Sequence, residues 1–155
     1  MQTKVDEVDR KILGLLVENG RISFAEIGRQ VGLSLPAAAD RVRRLEDTGL
    51  IEGYQAKINL KKLGFPITVF VELTIPPSFY QHAKQQIEAT PEILEAHHVA
   101  GELSLILKLR LADLEDLEPI LAKLNQPGQS KSIVVLSTFV EKDGVSLLNK
   151  VKKIE

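Results

Sequence analysis

Apolar residues in the first fifty positions recur at helical spacing, interrupted by short groups of turn-forming and capping residues. Val8, Ile12, Leu15 and Leu16 line one side of a segment opened by Asp6, Glu7 and Asp9, carboxylates that suit the positive end of a helix dipole. Ser23 with Glu26 three residues on has the form of a capping box. It predicts a second helix with Ile27 and Val31 as its buried stripe and Gly32 as its stop. A short turn through Leu33 leads to Ser34, placed to N-cap a third helix whose first turn tolerates Pro36. Ala38, Val42 and Leu45 fall at i, i+4 and i+7 and face inward. Pro36, Ala37, Asp40, Arg43 and Arg44 share the opposite face, with Arg41 on its flank. After Gly49 the run LIEGYQAKINL alternates as a strand would, in the place of a wing or hinge.

Past Lys62 the period shortens. FPITVFVELTI, residues 65–75, puts Ile67, Val69, Val71, Leu73 and Ile75 on one face and Thr68, Phe70, Glu72 and Thr74 on the other, and Pro76 and Pro77 end it. Residues 79–89 read as a helix with Phe79, Ala83 and Ile87 in line. Residues 93–100 read as a second strand. Gly101 and Glu102 turn the chain into residues 103–111, where every odd position is leucine. Asp113 caps a helix carrying Leu114, Leu117, Leu121 and Leu124. Residues 125–130 read as a loop, and 132–141 as the last strand. The order β-α-β-β-α-β is the ferredoxin-like arrangement, an antiparallel sheet with both helices on one side. The fold class is therefore α+β, in four parts. Residues 1–51 form a winged-type helix-turn-helix domain and 52–63 a hinge strand and linker. Residues 64–142 form a ferredoxin-like domain for oligomerisation and effector binding. Residues 143–155 form a short helical tail with Leu147, Val151 and Ile154 as its stripe.

The two adjacent helices of the first domain point to double-stranded DNA. Small residues at the front of a helix let it sink into a major groove, and guanidinium groups behind them reach guanine edges or phosphates. The candidate contacts are Arg21, Ser23, Ser34, Pro36, Ala37, Asp40, Arg41, Arg43 and Arg44, with Arg41 and Arg44 expected on the groove side. The alternative is an ordinary helical hairpin with a solvated arginine face. Charge tempers the DNA reading, because the chain carries a net −1 and residues 1–60 hold nine Lys/Arg against nine Asp/Glu. Binding must come from local placement and from several subunits acting together.

The sheet has a second face, with Thr68, Phe70, Glu72, Ser104, Ile106, Lys108 and Arg110, and with Val134, Leu136 and Val140 or their neighbours from the last strand. It is too apolar for a free surface and too polar for a core, as subunit interfaces are. Phe70, Ile106 and Leu136 are its candidate dimer contacts. An exposed face covered by the chain's own tail is the alternative. Composition narrows the rest. Hydrophobic content of 44% supports a core, 26% charged is ordinary for a soluble chain, and zero cysteines exclude disulfides, thiolate metal sites and cysteine nucleophiles. Charges interrupt every apolar run short of membrane-spanning length, and MQTKVDEVDRK lacks the apolar segment of a signal peptide. A cytoplasmic location is expected, with no membrane partner, no cofactor and no metal. His97 and His98 are adjacent on a strand and point to opposite faces, so they cannot chelate one ion from one side, and His82 lies on a helix.

VDEVDRKILGLLVENGRISFAEIGRQVGLS, AAADRVRRLEDTGLIEGYQAKIN and IVVLSTFVEK together resemble the Lrp/AsnC, or feast/famine, family of regulators, over residues 5–142. The resemblance implies an N-terminal DNA-binding domain, a hinge strand and a C-terminal ferredoxin-like domain in a regulator of amino-acid or nitrogen metabolism genes. It implies dimers through the sheet face, often assembled into octamers. It also implies a small effector, usually an amino acid, bound between dimers near the turn joining strands two and three. Gly101, Glu102, Leu103 and Ser104, with Thr138 if strand four lies beside the turn, are the candidate effector contacts. Amino-acid-binding members commonly carry a Gly-Asp-x-Asp type turn. Here Ser104 stands at the second carboxylate, and a hydroxyl is a weaker partner for a cation, so an effector-independent or architectural DNA-binding protein is the alternative. A remoter one is an enzyme similar to siroheme decarboxylases. Those carry an arginine- and aromatic-rich stretch where this chain has GELSLILKL, and no catalytic residue is expected.

Overall fold

A computed structural model describes residues 5–124, 128–141 and Leu147. The chain divides into two compact units. One runs to Lys57 and takes in Val140 as well, and the other spans Ile58–Phe139, so the expected linker of residues 52–63 is shared between them.

In the first unit, α1 (Glu7–Glu18) begins at a complete capping box: Asp6 Oδ1 accepts from the Asp9 backbone N–H at 2.8 Å, and Asp9 Oδ2 accepts from that of Asp6 at 3.1 Å. The second helix, α2 (Phe24–Val31), has only half of its expected box. The Ser23 hydroxyl accepts from Glu26 N–H, but the Glu26 carboxylate turns to Arg29 and Gln30. Gly32 ends it in the left-handed region, with φ at 75°. Ser34 caps α3 (Leu35–Asp47), with Pro36 in its first turn. Ile12, Leu13 and Leu16 of α1, Ile27 of α2, and Ala38, Val42 and Leu45 of α3 form one core.

The alternating run after Gly49 does not become a strand: residues 53–58 carry no regular structure and are exposed. Alternation alone is not a ladder, and the segment pairs with no other strand among the described residues. Tyr54 tethers it, its hydroxyl donating to Glu46 at 2.8 Å. Burial, then that hydrogen bond and the carboxylate's charge, push the phenol up to about 12.

In the second unit, β1 (Ile67–Thr74), α4 (Tyr80–Glu88), β2 (Ile93–His98), β3 (Leu105–Leu111), α5 (Leu117–Leu124) and β4 (Gln129–Val134) follow the expected order. Short 3₁₀ turns precede both helices. The sheet order is β2-β3-β1-β4 and every pair is antiparallel, the ferredoxin-like topology. Val69, Val71, Leu73, Leu107, Leu109 and Leu111 are fully buried beside Ile120 and Leu124 of α5, with Ile87 of α4 packed against them.

The last strand corrects the sequence reading. It begins at Gln129 and ends at Val134, so Leu136 and Thr138 lie beyond it, and Leu136 is 96% exposed. Gly128 marks its early start. A Cβ there would meet the Thr74 carbonyl and the Ile75 side chain at 2.8 Å, an approach that only glycine permits, where the strand starts early against the end of β1. Ile133 therefore lies opposite Phe70 on the open face, and Val134 lies opposite Val69 on the helix side. A one-residue change of position exchanges the faces. Of the tail residues, Leu147 is helical and exposed, and Val151 and Ile154 lie outside the described residues.

Gly28 tests the packing of the helix-turn-helix. A Cβ on it would meet the Leu33 carbonyl oxygen at 2.6 Å, where the Leu33 N–H already bonds the Gly28 carbonyl at 2.8 Å. Gly28→Ala should cost about 1–3 kcal/mol by overpacking, read as a fall in the midpoint of chemical denaturation. Gly14→Ala, with open space around it on α1, should instead be neutral or stabilise by up to about 1 kcal/mol.

Candidate nucleic-acid interface and effector turn

The arginines of α3 divide by what holds them. Asp9 is fully buried in α1. Its Oδ1 accepts from Arg41 Nη1 at 2.9 Å and from Arg44 Nη2 at 2.8 Å, and its Oδ2 from Arg44 Nη2 at 2.7 Å. Arg41 Nη1 also bonds Asp6 Oδ2 at 2.5 Å. Both arginines thus turn back onto α1, which corrects the expectation that they face a groove. The reason is electrostatic: a buried carboxylate without a cation is costly, and these two guanidinium groups are the partners within reach. Arg41 is largely enclosed, whereas Arg44 keeps half its side chain in solvent.

Arg43 is different. Its one described contact is a 3.4 Å pair with Asp40 across an exposed turn of helix. Exposed pairs of this kind contribute about 0–1 kcal/mol, so Arg43 can exchange its partner for a phosphate or a base at little cost. Pro36, Asp40 and Arg43 share the outward side of α3, with the exposed Ser34 and Leu35 at its leading end and Ala37 partly covered. Arg21 and Ser23 are exposed at the entry to α2, while Arg29 on that helix is held by Glu26 through two donors at 2.8 and 3.0 Å.

At the expected effector turn, Gly101 adopts φ of 131° and is exposed, as are Ala100 and Glu102, with Leu103 half-buried. Ser104 does not face a ligand. It is buried, its hydroxyl accepting from Ile75 N–H and donating to the Ile75 carbonyl, both at 3.0 Å, while its N–H bonds Leu73 at 2.8 Å. The serine closes the end of β1 onto β3. Thr138 is also misplaced by the sequence reading. Because β4 runs antiparallel to β1, Gln129 lies opposite Thr74 near this turn, and the other end of β4 points away from it.

The open sheet face carries Phe70 and Ile106 as expected. Ile133 takes the place assigned to Leu136, and Lys108 joins Glu95 at 2.7 Å. The Lys108 hydrogen bond outweighs burial and holds the Glu95 carboxyl below its ordinary range. His97 lies opposite Ile106 on this face, and His98, opposite Leu105, packs edge-on against Tyr80 of α4.

These two units define a DNA-binding regulator with an N-terminal helix-turn-helix and a C-terminal ferredoxin-like domain. Residues 5–46 match the AsnC-type helix-turn-helix domain, and residues 68–145 the Lrp/AsnC ligand binding domain. The chain is 33% identical over 141 residues to the HTH-type transcriptional regulator LrpC of Bacillus subtilis, covering 91% of this chain and 98% of that one. It is 38% identical over 144 residues to the regulator Ptr1 of Methanocaldococcus jannaschii, covering 90% and 96%. The solved structure of Bacillus subtilis LrpC matches with a TM-score of 0.84 at 33% identity, over 90% of this chain and 100% of that one. A feast or famine regulatory protein of M. tuberculosis, solved in complex with L-methionine, matches at 0.80 and 33% identity, over 89% and 96%. The chain belongs to the Lrp/AsnC family of transcriptional regulators.

Sequence alone marks Asp6 and Asp9 as complements to the helix dipole and carries no sign of their ion pairs. The D-x-x-D spacing was a readable sign of the capping box, but the reach from α3 to Asp9 had no local signal. Asp9→Ala should cost about 2–4 kcal/mol, below the full cost of breaking a buried pair because Arg44 is half-exposed. Asp40→Ala should stay within about 0.5 kcal/mol, and urea denaturation measures both. Acid adds a second check. Burial raises the Asp6 carboxyl, but hydrogen bonds from Arg41 and the Asp9 N–H, with the charge of Arg41, hold it below its ordinary 3.8. A carboxyl lowered on folding contributes stability above its unfolded pKa and loses it as pH falls through the folded one. Thermal melting from pH 6 to pH 3 should therefore show a smaller acid loss in Asp6→Asn than in the unaltered chain.

Proposed function

We propose that this regulator reads DNA with α3 laid in a major groove, Ser34, Pro36 and Ala37 leading and Arg43 supplying the principal guanidinium. Arg21 and Ser23 flank it on the phosphate backbone. Arg41 and Arg44 act by fixing the pose of the helix through Asp9. The observation that carries this reading is the contrast between Arg43, loosely held on the outward face, and Arg41, locked onto a buried carboxylate. Two copies join through the open sheet face around Phe70, Ile106 and Ile133, because a surface this apolar is better covered than wet. Dimers assemble further, giving a two-fold reader for paired half-sites.

Target genes in amino-acid or nitrogen metabolism and an amino-acid-type effector at Gly101–Leu103 complete the reading. The M. tuberculosis relative's complex with L-methionine supports the effector class. At this turn Glu102 is the acidic group for an α-ammonium, and the positive φ of Gly101 leaves the backbone open to close approach. Ser104 is committed to Ile75, so the turn offers one carboxylate where amino-acid-binding members commonly have two.

Gel-shift titration against the best site tests the DNA reading. Arg43→Ala should weaken binding by about 1–3 kcal/mol while leaving the denaturation midpoint unchanged. Arg41→Ala should lower stability first and affinity with it. Normal DNA affinity in Arg43→Ala would show that α3 is not presented by this face. For the assembly, Ile106→Glu buries an unpaired charge at the proposed interface. It should give a smaller species in size-exclusion chromatography with weaker binding to two-site DNA, and an unchanged mass would place the interface elsewhere.

A further inference from the structure

The end of the sheet opposite the Gly101 turn holds a cleft of about 150 Å³, lined by Leu60, Phe65, Pro91, Glu92, Leu94 and Arg110. Three segments build it. The turn before β1 forms one wall: Asn59 Oδ1 accepts from Lys62 N–H at 3.1 Å, Phe65 N–H bonds the Leu60 carbonyl at 3.0 Å, and Gly64 takes φ of 95° to close the loop. The turn into β2 forms the other, fastened where Arg110 N–H bonds the Glu92 carbonyl at 2.8 Å and Ile93 N–H bonds Thr90 at 3.1 Å. The start of β2 is irregular between Ile93 and Glu95, which turns Leu94 out of the regular pattern and into the lining.

The charges in this cleft are poised but unspent. Among the described residues the Arg110 side chain donates through Nη1 alone, to the Phe65 and Pro66 carbonyls at 3.4 and 3.5 Å, so most of its five side-chain donors have no acceptor there. Glu92 contributes the cleft's carboxylate, and among the described residues neither side chain forms an ion pair, with the other or elsewhere. An isolated surface arginine and glutamate would carry no meaning. Here they stand on one cleft whose remaining walls are apolar, and a guanidinium in such a setting binds a carboxylate through two parallel hydrogen bonds. The volume is well under the roughly 300–1,000 Å³ of sites for drug-sized ligands, so the occupant is a single small molecule.

We infer that this cleft is a binding site for a free apolar α-amino acid, distinct from the Gly101 turn. The α-carboxylate lies on Arg110, the α-ammonium on Glu92, and the side chain between Leu60, Phe65 and Leu94. The ligand chemistry follows from the cleft itself: a cation, an anion and an apolar wall match a zwitterion with an apolar tail. A fatty carboxylate would leave Glu92 unanswered and an alkylamine would leave Arg110 unanswered. Binding here ties the turn before β1 to the β2 edge, so occupancy stiffens the point where the chain enters the second unit.

Calorimetry with the full chain tests the inference, using L-leucine and L-methionine as probes with 4-methylpentanoate and isoamylamine as analogues lacking the ammonium or the carboxylate. Saturable binding of at least one amino acid should weaken tenfold or more in Arg110→Gln and in Glu92→Gln. In Glu92→Gln the preference for leucine over 4-methylpentanoate should vanish. Leu94→Trp, which fills the cleft without touching a charge, should abolish the same binding with the circular dichroism spectrum retained. Glu102→Ala separates this site from the turn at the far end of the sheet. Leucine binding that is lost in Glu102→Ala but intact in Arg110→Gln and Leu94→Trp belongs to that turn and overturns the inference. So does the absence of saturable binding by either amino acid, or equal affinity of the unaltered chain for leucine and 4-methylpentanoate.

Discussion

A single carboxylate, that of Asp9, organises the DNA-binding unit. It is fully buried at the start of α1, yet it closes the cap of its own helix and takes hydrogen bonds from two arginines on α3. Leaving such a group unpaired would cost several kcal/mol, so the position of α3 relative to α1 is set by charge as well as by the packing of Ile12, Val42 and Leu45. The consequence runs directly to recognition. Fixing Arg41 and Arg44 inward fixes the rotation of α3 about its axis, and that rotation puts Pro36, Asp40 and Arg43 outward. An apolar contact in the same place would hold the helices together but would tolerate more rotation, because hydrophobic burial is not directional.

The second unit is organised on a different principle. Its buried face is a ladder of aliphatic residues from β1 and β3, covered by α4 and α5, and needs no polar device. Polar fastenings appear at the sheet's two ends instead. Ser104 closes one end through Ile75, and the Arg110 and Glu92 segments gather the other. Specific hydrogen bonds are therefore placed where strands stop and loops must be aimed. The middle of the open face is left to Phe70, Ile106 and Ile133, with ion pairs such as Lys108–Glu95 and Lys131–Glu72 among them. In the proposed dimer, that mixture would set register through the charges and adhesion through the apolar groups.

Helices and the order of strands were legible because their determinants are local. Ser23, Ser34 and Asp113 cap the elements they were expected to cap, and the odd leucines of β3 bury as their period demands. What the sequence hid is long-range. Thirty-two positions separate Asp9 from Arg41, and no periodicity reports that they meet, so neither the helical wheel nor the family resemblance turns Arg41 and Arg44 back onto α1. The early start of β4 was hidden for a related reason: it goes with the close approach of Gly128 to Thr74, a contact between distant segments. Ser104 was misread as ligand-facing because its alternative use, bridging the Ile75 backbone, depends on where β1 ends. The alternating run after Gly49 shows the converse. It has a strand's pattern, but among the described residues no partner completes a ladder.

Charge bookkeeping explains why a neutral domain can still be a DNA-binding one. Of the arginines on α2 and α3, Arg29, Arg41 and Arg44 are committed to carboxylates at 2.9 Å or closer, and Arg43 is only loosely held at 3.4 Å. When Arg43 leaves Asp40 for a phosphate, one exposed ion pair replaces another, and the released carboxylate then repels the backbone nearby. Exchange onto a phosphate alone therefore gains little, and Arg43 makes its larger contribution only where it reaches a base edge. Affinity must then come from groove fit and from joining several heads, where tethering makes the second contact intramolecular at millimolar effective concentration. Under the proposed dimeric reading, this weakness is what makes the second unit able to regulate the first. If one head bound tightly, assembly would be irrelevant to occupancy. With weak single heads, that proposal makes any ligand that changes how the sheet faces associate change occupancy at the operator by the same coupling free energy, and DNA would reciprocally favour the assembled state.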